Sequence, residues 1–224
     1  MVLHPRLRLA MTVAVLCAAA IVGVVALTAN AGGTGDAGGP GQLVNGFYGA
    51  TAPPAMPAVD FALRNQNGKT IRLSQYAGQV VVMTFVYSTC EDTCPVVVEQ
   101  IRGALNELPH RVPAIAVSVD PEQDTPSNVS AFLIKEDVVG EFQYLVGSVS
   151  QLEPIWKFFG IQPQIKIKST TSDHSIDVVL LDKAGQPRVA YTDVSQMDPD
   201  AMAHDIEALE AEPAPKVPPK RVQL

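Results

Sequence analysis

Cys90 and Cys94 stand three residues apart, with Glu91, Asp92 and Thr93 between them and Pro95 directly after. Two thiols this close can close a disulfide, cycle as a redox couple or chelate a soft metal. His174, in Ser172-Asp173-His174-Ser175, is the third residue of interest. Two thiolates and an imidazole make a trigonal donor set suited to Cu(I), and with one further ligand they also hold Cu(II). Zinc accepts the same donors, but a structural zinc site closes with a fourth ligand, and none is evident. The usual redox pair has two intervening residues. A three-residue spacer lets both sulfurs face one point, yet it also permits a disulfide, so spacing leaves redox chemistry open. A static disulfide here would close only a tiny loop and stabilise little.

Other donors read as structural. Cys17 lies in an apolar run and serves there as filler. His110 follows a helix and His204 sits on the last one, both facing solvent. Met197 and Met202 read as core packing before soft-metal ligands. Asp120-Pro121 and Asp124-Thr125-Pro126 read as turn and helix-cap chemistry. Asp92, inside the cysteine loop, either tunes the sulfurs, meets a partner or is a plain solvated residue.

The elements that must position these groups follow from periodicity. Residues 61–64 and 70–73 flank Asn67-Gly68 and predict an N-terminal β-hairpin with a type I′ turn. Residues 80–87 (VVVMTFVY) form a β-branched and aromatic run, the pattern of a strand buried on both faces. Residues 95–108 predict a helix opened by Pro95, and 112–119 a second buried strand. A helix then runs from Pro126 to about Lys135, a strand over 143–146, and a helix over 149–159 ended by Gly160. Strands over 176–182 and 188–192 and a helix over 198–209 complete the pattern. The cysteines thus fall between a central strand and the next helix, where open α/β sheets place their sites. The helix N-terminus favours thiolate at Cys94, and at Cys90 with it.

Strands alternating with helices predict an α/β, thioredoxin-like domain: a mixed, mainly parallel central sheet flanked by helices. In that fold the loop before the 176–182 strand lies across from the cysteine turn, which brings His174 to the sulfurs. The domain spans residues 56–210. Apolar residues make up 47% of the chain and charged residues 17%, a globular composition. The net charge of −7 argues against a nucleic-acid partner.

The ends differ from the domain. Residues 1–8 carry Arg6 and Arg8, and residues 9–29 contain no charge, long enough for one transmembrane helix with the domain on the extracytoplasmic side. Ala29-Asn30-Ala31 is also a cleavage pattern, so anchor and signal segment both stand. Residues 30–55, rich in Gly, Ala and Pro, predict a flexible linker, and residues 211–224 a Pro-rich disordered tail.

The strand leading into Cys90-Glu91-Asp92-Thr93-Cys94-Pro95, the Val119-Asp120-Pro121-Glu122-Gln123-Asp124-Thr125-Pro126 segment, and Asp173-His174-Ser175 before a hydrophobic strand together resemble the Sco/SenC family of copper chaperones for cytochrome c oxidase. The single N-terminal anchor is similar too. The resemblance implies one copper ion, as Cu(I) or Cu(II), held by Cys90, Cys94 and His174. It implies delivery to the binuclear copper site of oxidase subunit II, or to another copper-requiring client, with possible reduction of that client's cysteines. The protein is then a metallochaperone, not a classical enzyme, with Cys90 and Cys94 a redox-active pair if oxidised, and a lone tethered chaperone is expected to be monomeric. The alternative is an extracytoplasmic thiol–disulfide oxidoreductase. Glu91 departs from the family, which often has Pro there, and adds a charge beside the site.

Overall fold

The computed structural model describes residues 42–53, 56–164, 177–214 and 220–224. Its elements are β1 (Ala50–Thr51), β2 (Val59–Asp60), β3 (Ala62–Asn65), β4 (Thr70–Arg72), β5 (Val81–Val86), α1 (Thr93–Glu107), β6 (Ala114–Ser118), α2 (Pro126–Lys135), β7 (Phe142–Val146), α3 (Val149–Phe159), β8 (Val178–Leu181), β9 (Pro187–Tyr191), α4 (Pro199–Ala211) and β10 (Val222–Gln223).

The sheet of eight strands has the order β1-β9-β8-β5-β6-β7-β3-β4. It is mixed, as expected, but parallel pairing is confined to β5 with β6 and β6 with β7. Both of those connections carry a helix, which is what a parallel crossover requires. Tight turns join β3 to β4 and β8 to β9, so those pairs are antiparallel. β5 alternates strictly between faces. Val82 and Val86 join a core with α1, α2 and α4, while Val81, Met83 and Phe85 join a second core with α3 and the N-terminal hairpin. All six β5 residues are buried, as its unbroken apolar run predicts.

The hairpin turn differs from the expected type I′. Asn67 does not adopt a positive φ; only Gly68 does, at 75°. The loop has three residues, closed by Gly68 N–H to Asn65 O at 2.8 Å and Asn65 N–H to Lys69 O at 2.8 Å. The Asn65 side chain imposes this form by accepting the N–H groups of Asn67 and Lys69 at 3.0 and 2.9 Å. The type I′ geometry occurs instead at Asn45-Gly46, with φ of 54° and 86°, between Val44 and Phe47.

That turn lies in the segment read as linker, and residues 44–52 are in fact packed onto the domain. Phe47 is buried in the core that holds Cys90 and Cys94. Tyr48 and Gly49 N–H groups donate to the buried Asp205 carboxylate of α4, and β1 pairs with β9. A Cβ on Gly49 would sit 2.5 Å from Val189 Cγ1 and 3.0 Å from the Tyr191 ring. Gly49→Ala is therefore expected to destabilise the fold by about 1–3 kcal/mol through overpacking, read from the denaturant midpoint; an unchanged midpoint contradicts this packing.

The tail departs from expectation in the same way. Residues 220–224 add β10 in parallel to β2, with Val222 N–H to Ala58 O and Leu224 N–H to Asp60 O, both 2.9 Å. Composition hid both segments because their partners are remote in sequence. Among the described residues no helix is long and apolar enough to cross a membrane; the apolar run 9–29 lies outside them.

Candidate metal centre

β5 ends at Val86 and points its carboxyl end at residues 87–92. α1 then begins at Thr93, two residues earlier than its Pro95 suggested. Pro95 occupies the third helical position, where the missing N–H is one that the first turn leaves unpaired in any case. The N-cap residue's own side chain does not cap this helix: the Asp92 carboxylate does not accept from the first turn. Cys90 Sγ takes that role, accepting the Cys94 N–H at 3.3 Å, with Thr93 Oγ1 at 3.9 Å.

Cys90 and Cys94 thus come together, both reduced and both buried, at 3% and 0% exposure. Their acidities split. The Cys94 thiol donates to Cys90 Sγ, and the Cys94 and Asp92 N–H groups and the Tyr87 hydroxyl add to it, holding the Cys90 thiol down to about 4 against the desolvation that opposes it. Cys94 is pushed far up, first by that same hydrogen bond, then by burial and by the Cys90 charge. The pair therefore shares one proton, with the negative charge on Cys90. This corrects the expectation that the helix start favours Cys94 thiolate foremost: the helix amides aim at Cys90, while Cys94 is sunk beneath the first turn. A pH titration of ultraviolet thiolate absorbance is expected to show one thiolate forming at about pH 4. Cys90→Ser is expected to abolish that transition, and Cys94→Ala, which removes the group that does most to hold the Cys90 thiol down, to move it upward; a wild-type midpoint at the ordinary value of 9.0 would contradict the split.

Below the loop lies a carboxylate that the local Asp-Thr-Pro pattern did not reveal. Asp124, 4% exposed, accepts Ser88 N–H at 2.7 Å, Ser118 Oγ–H at 2.5 Å and Tyr144 O–H at 2.9 Å. Tyr144 O–H also reaches Val86 O at 3.3 Å. One side chain thus ties the chain just after β5 and the end of β6 to the middle of β7. Burial raises its pKa against those hydrogen bonds. The cap itself was legible: Thr125 Oγ1 accepts Asn128 N–H at 3.3 Å and Pro126 opens α2. Asp120 takes its turn role, accepting Gln123 N–H at 3.2 Å.

His174 falls within residues 165–176, outside the described residues. The described chain reaches the near side of that segment at Gln164, whose N–H donates to Val119 O at 2.9 Å, beside the end of β6. Among the described residues no three His, Cys, Asp or Glu side chains converge as a metal cluster. Met197 and Met202 are buried in the core, as packing residues should be. His204 is half-exposed and pairs with Asp205, and His110 pairs with Glu210 at 2.9 Å.

A helix between parallel β5 and β6, antiparallel β8 and β9 beside them, and a closing helix define an α/β domain of mixed sheet with two buried thiols at the strand ends. The chain belongs to the SCO1/SenC family, whose model matches residues 50–211. It is 25% identical over 135 residues to the mitochondrial SCO2 homologue of Bos taurus, covering 56% of this chain and 50% of that one. The chain thus spans about half the length of that relative. The apo Sco1 solution structure from Thermus thermophilus superposes with a TM-score of 0.60 at 27% identity, over 73% of this chain and 96% of that one. ScoI of Bradyrhizobium japonicum, solved with copper bound, shares the fold with a TM-score of 0.54 at 24% identity, over 69% and 99%.

Proposed function

We propose that this protein is a copper chaperone that takes one copper ion between Cys90 Sγ and Cys94 Sγ, with His174 as third ligand. Copper is its cargo, and the receiver is the binuclear site of cytochrome c oxidase subunit II. The observation that carries the reading is the pair of free, buried cysteines that the β5–α1 turn brings together, with Cys94 N–H donating to Cys90 Sγ at 3.3 Å. Such a donor set favours Cu(I). The Cys90 thiolate is ready to bind at neutral pH, and the proton on Cys94 must leave as the second bond forms, so metal uptake releases one proton. Sco proteins solved with copper, in B. japonicum and in yeast, support the cargo. Residues 9–29 would anchor the chain in a membrane with the domain on the extracytoplasmic side, as a monomer. The test is a copper titration of the reduced chain from residue 42 onward beside Cys90→Ser, Cys94→Ser and His174→Ala.

The split acidity also supports a second reading as a thiol–disulfide reductase. There Cys90 thiolate attacks a client disulfide, forming a mixed disulfide and releasing one client thiolate. Cys94, giving up its proton, then displaces the second client thiolate and leaves a Cys90–Cys94 disulfide. Stoichiometric oxidation of the pair by a disulfide substrate, indifferent to His174→Ala, would favour it.

A further inference from the structure

We infer that Asn45 is a chemical modification site, the residue at which this chain deamidates through a succinimide and gains an isoaspartyl link that unlocks its N-terminal turn. The chain holds two Asn-Gly pairs, Asn45-Gly46 and Asn67-Gly68, and all these residues are exposed. Glycine leaves the following nitrogen uncrowded, and a Cβ on either Gly46 or Gly68 would meet nothing within 4 Å. In such a pair the glycine nitrogen bonds to the asparagine Cγ, the Cγ–Nδ2 bond breaks, and ammonia leaves with the glycine's proton. Water then opens the ring. Attack at Cγ leaves an ordinary aspartyl residue. Attack at the main-chain carbonyl carbon leaves an isoaspartyl residue, whose main chain runs through Cγ and is one atom longer.

The two turns differ in what holds the nitrogen. Gly68 N–H donates to Asn65 O at 2.8 Å, and Asn65 N–H donates to Lys69 O at 2.8 Å. Asn65 Oδ1 also accepts the Asn67 and Lys69 N–H groups at 3.0 and 2.9 Å, and the β3–β4 ladder starts at Arg64 and Thr70. Gly46 N–H has no hydrogen-bond partner among the described residues. Its turn is closed by one isolated bridge, Val44 N–H to Phe47 O at 2.7 Å and Phe47 N–H to Val44 O at 3.0 Å. The leaving amide is held by a long contact, Asn45 Nδ2 to Thr51 Oγ1 at 3.4 Å. Ring closure needs the asparagine's ψ to rotate out of the turn. That breaks two main-chain hydrogen bonds at Asn45 and four bonds at Asn67. The additional bonds make opening at Asn67 rarer by about ten-fold or more. An isoaspartyl link cannot rebuild a two-residue turn with φ of 54° and 86°. Val44 then loses its pairing with Phe47, while Phe47 stays in the core and Tyr48 and Gly49 stay on Asp205.

The test incubates the reduced, copper-free full chain in mildly alkaline buffer, folded or in urea. Peptide mapping by mass reads deamidation, and an isoaspartyl methyltransferase marks the isoaspartyl product. In the folded chain Asn45 is expected to convert at least about ten-fold faster than Asn67, and in urea the two should convert at similar rates. Asn45→Gln, whose ring would be one atom larger, should stay unmodified at position 45. Amide exchange at Val44 and Phe47 should be at least about ten-fold faster in the isoaspartyl fraction than in the parent chain. Equal rates in the folded chain, or faster conversion at Asn67, overturn the site. A ten-fold gap that persists in urea overturns its structural cause, and unchanged exchange at Val44 and Phe47 overturns the unlocking.

Discussion

Asp205→Ala is expected to destabilise the domain by about 3–5 kcal/mol, the range for leaving a buried charge-assisted network without its centre. Asp205 is fully buried and accepts three donors, Tyr48 N–H, Gly49 N–H and Tyr191 O–H, with His204 Nδ1 3.1 Å from its carboxylate. Its loss strands two backbone N–H groups and a phenol. For a domain of this size the melting temperature should fall by about 6–20 °C. A chain beginning at residue 50 should lose a comparable amount relative to one beginning at 42, because it deletes Phe47 and the same N–H donors. Combining the two changes should cost much less than their sum, since they remove one interaction from both sides. Full additivity, or a melting temperature unmoved by Asp205→Ala, would show that residues 42–49 are not held by this carboxylate.

Asp124→Asn has the second largest expected effect, and it reaches the site. The amide keeps one acceptor for Ser88 N–H, but its NH2 confronts Ser118 Oγ and Tyr144 Oη where Asp124 Oδ2 accepted two hydroxyl protons. A loss of about 2–4 kcal/mol follows, near 4–16 °C in melting temperature. A loosened Ser88 should also free the loop that presents Cys90, lowering copper affinity by about ten-fold in protein still folded at 25 °C. Tyr144→Phe, which removes one donor and keeps the ring, should move stability less and copper affinity little. Unchanged stability in Asp124→Asn would remove this carboxylate from the support of the site.

The central elements were legible because their signals are local and redundant. The 80–87 run has no reading but a doubly buried strand, and Thr125-Pro126 and Gly160 mark helix ends by backbone chemistry alone. Cys90 and Cys94 were legible by type and spacing, and their position after β5 followed from the strand. Which sulfur carries the charge was not, because the helix-start rule knows the amides and not which sulfur they point at; α1 begins before Cys94, so its first N–H groups turn back onto Cys90. Asp124 was hidden for a related reason. Its neighbours in sequence explain a cap, while its partners Ser88 and Tyr144 lie 36 and 20 residues away. The packed segments at either end are stabilised wholly by remote strands and a remote carboxylate. The only local sign was Asn45-Gly46 between apolar residues, the same hairpin signal that was assigned at Asn67-Gly68, where the Asn65 side chain wins the backbone instead.

The most direct test of the copper reading is a Cu(I) titration, against a competing chelator, of the reduced chain from residue 42 and its His174→Ala, Cys90→Ser and Cys94→Ser variants. The account predicts one tightly held copper per wild-type monomer, at least ten-fold weaker binding in His174→Ala and none competitive with the chelator in either serine variant. A wild-type chain that leaves all copper with the chelator, while its two cysteines oxidise readily to a disulfide, would contradict it and leave the reductase in its place.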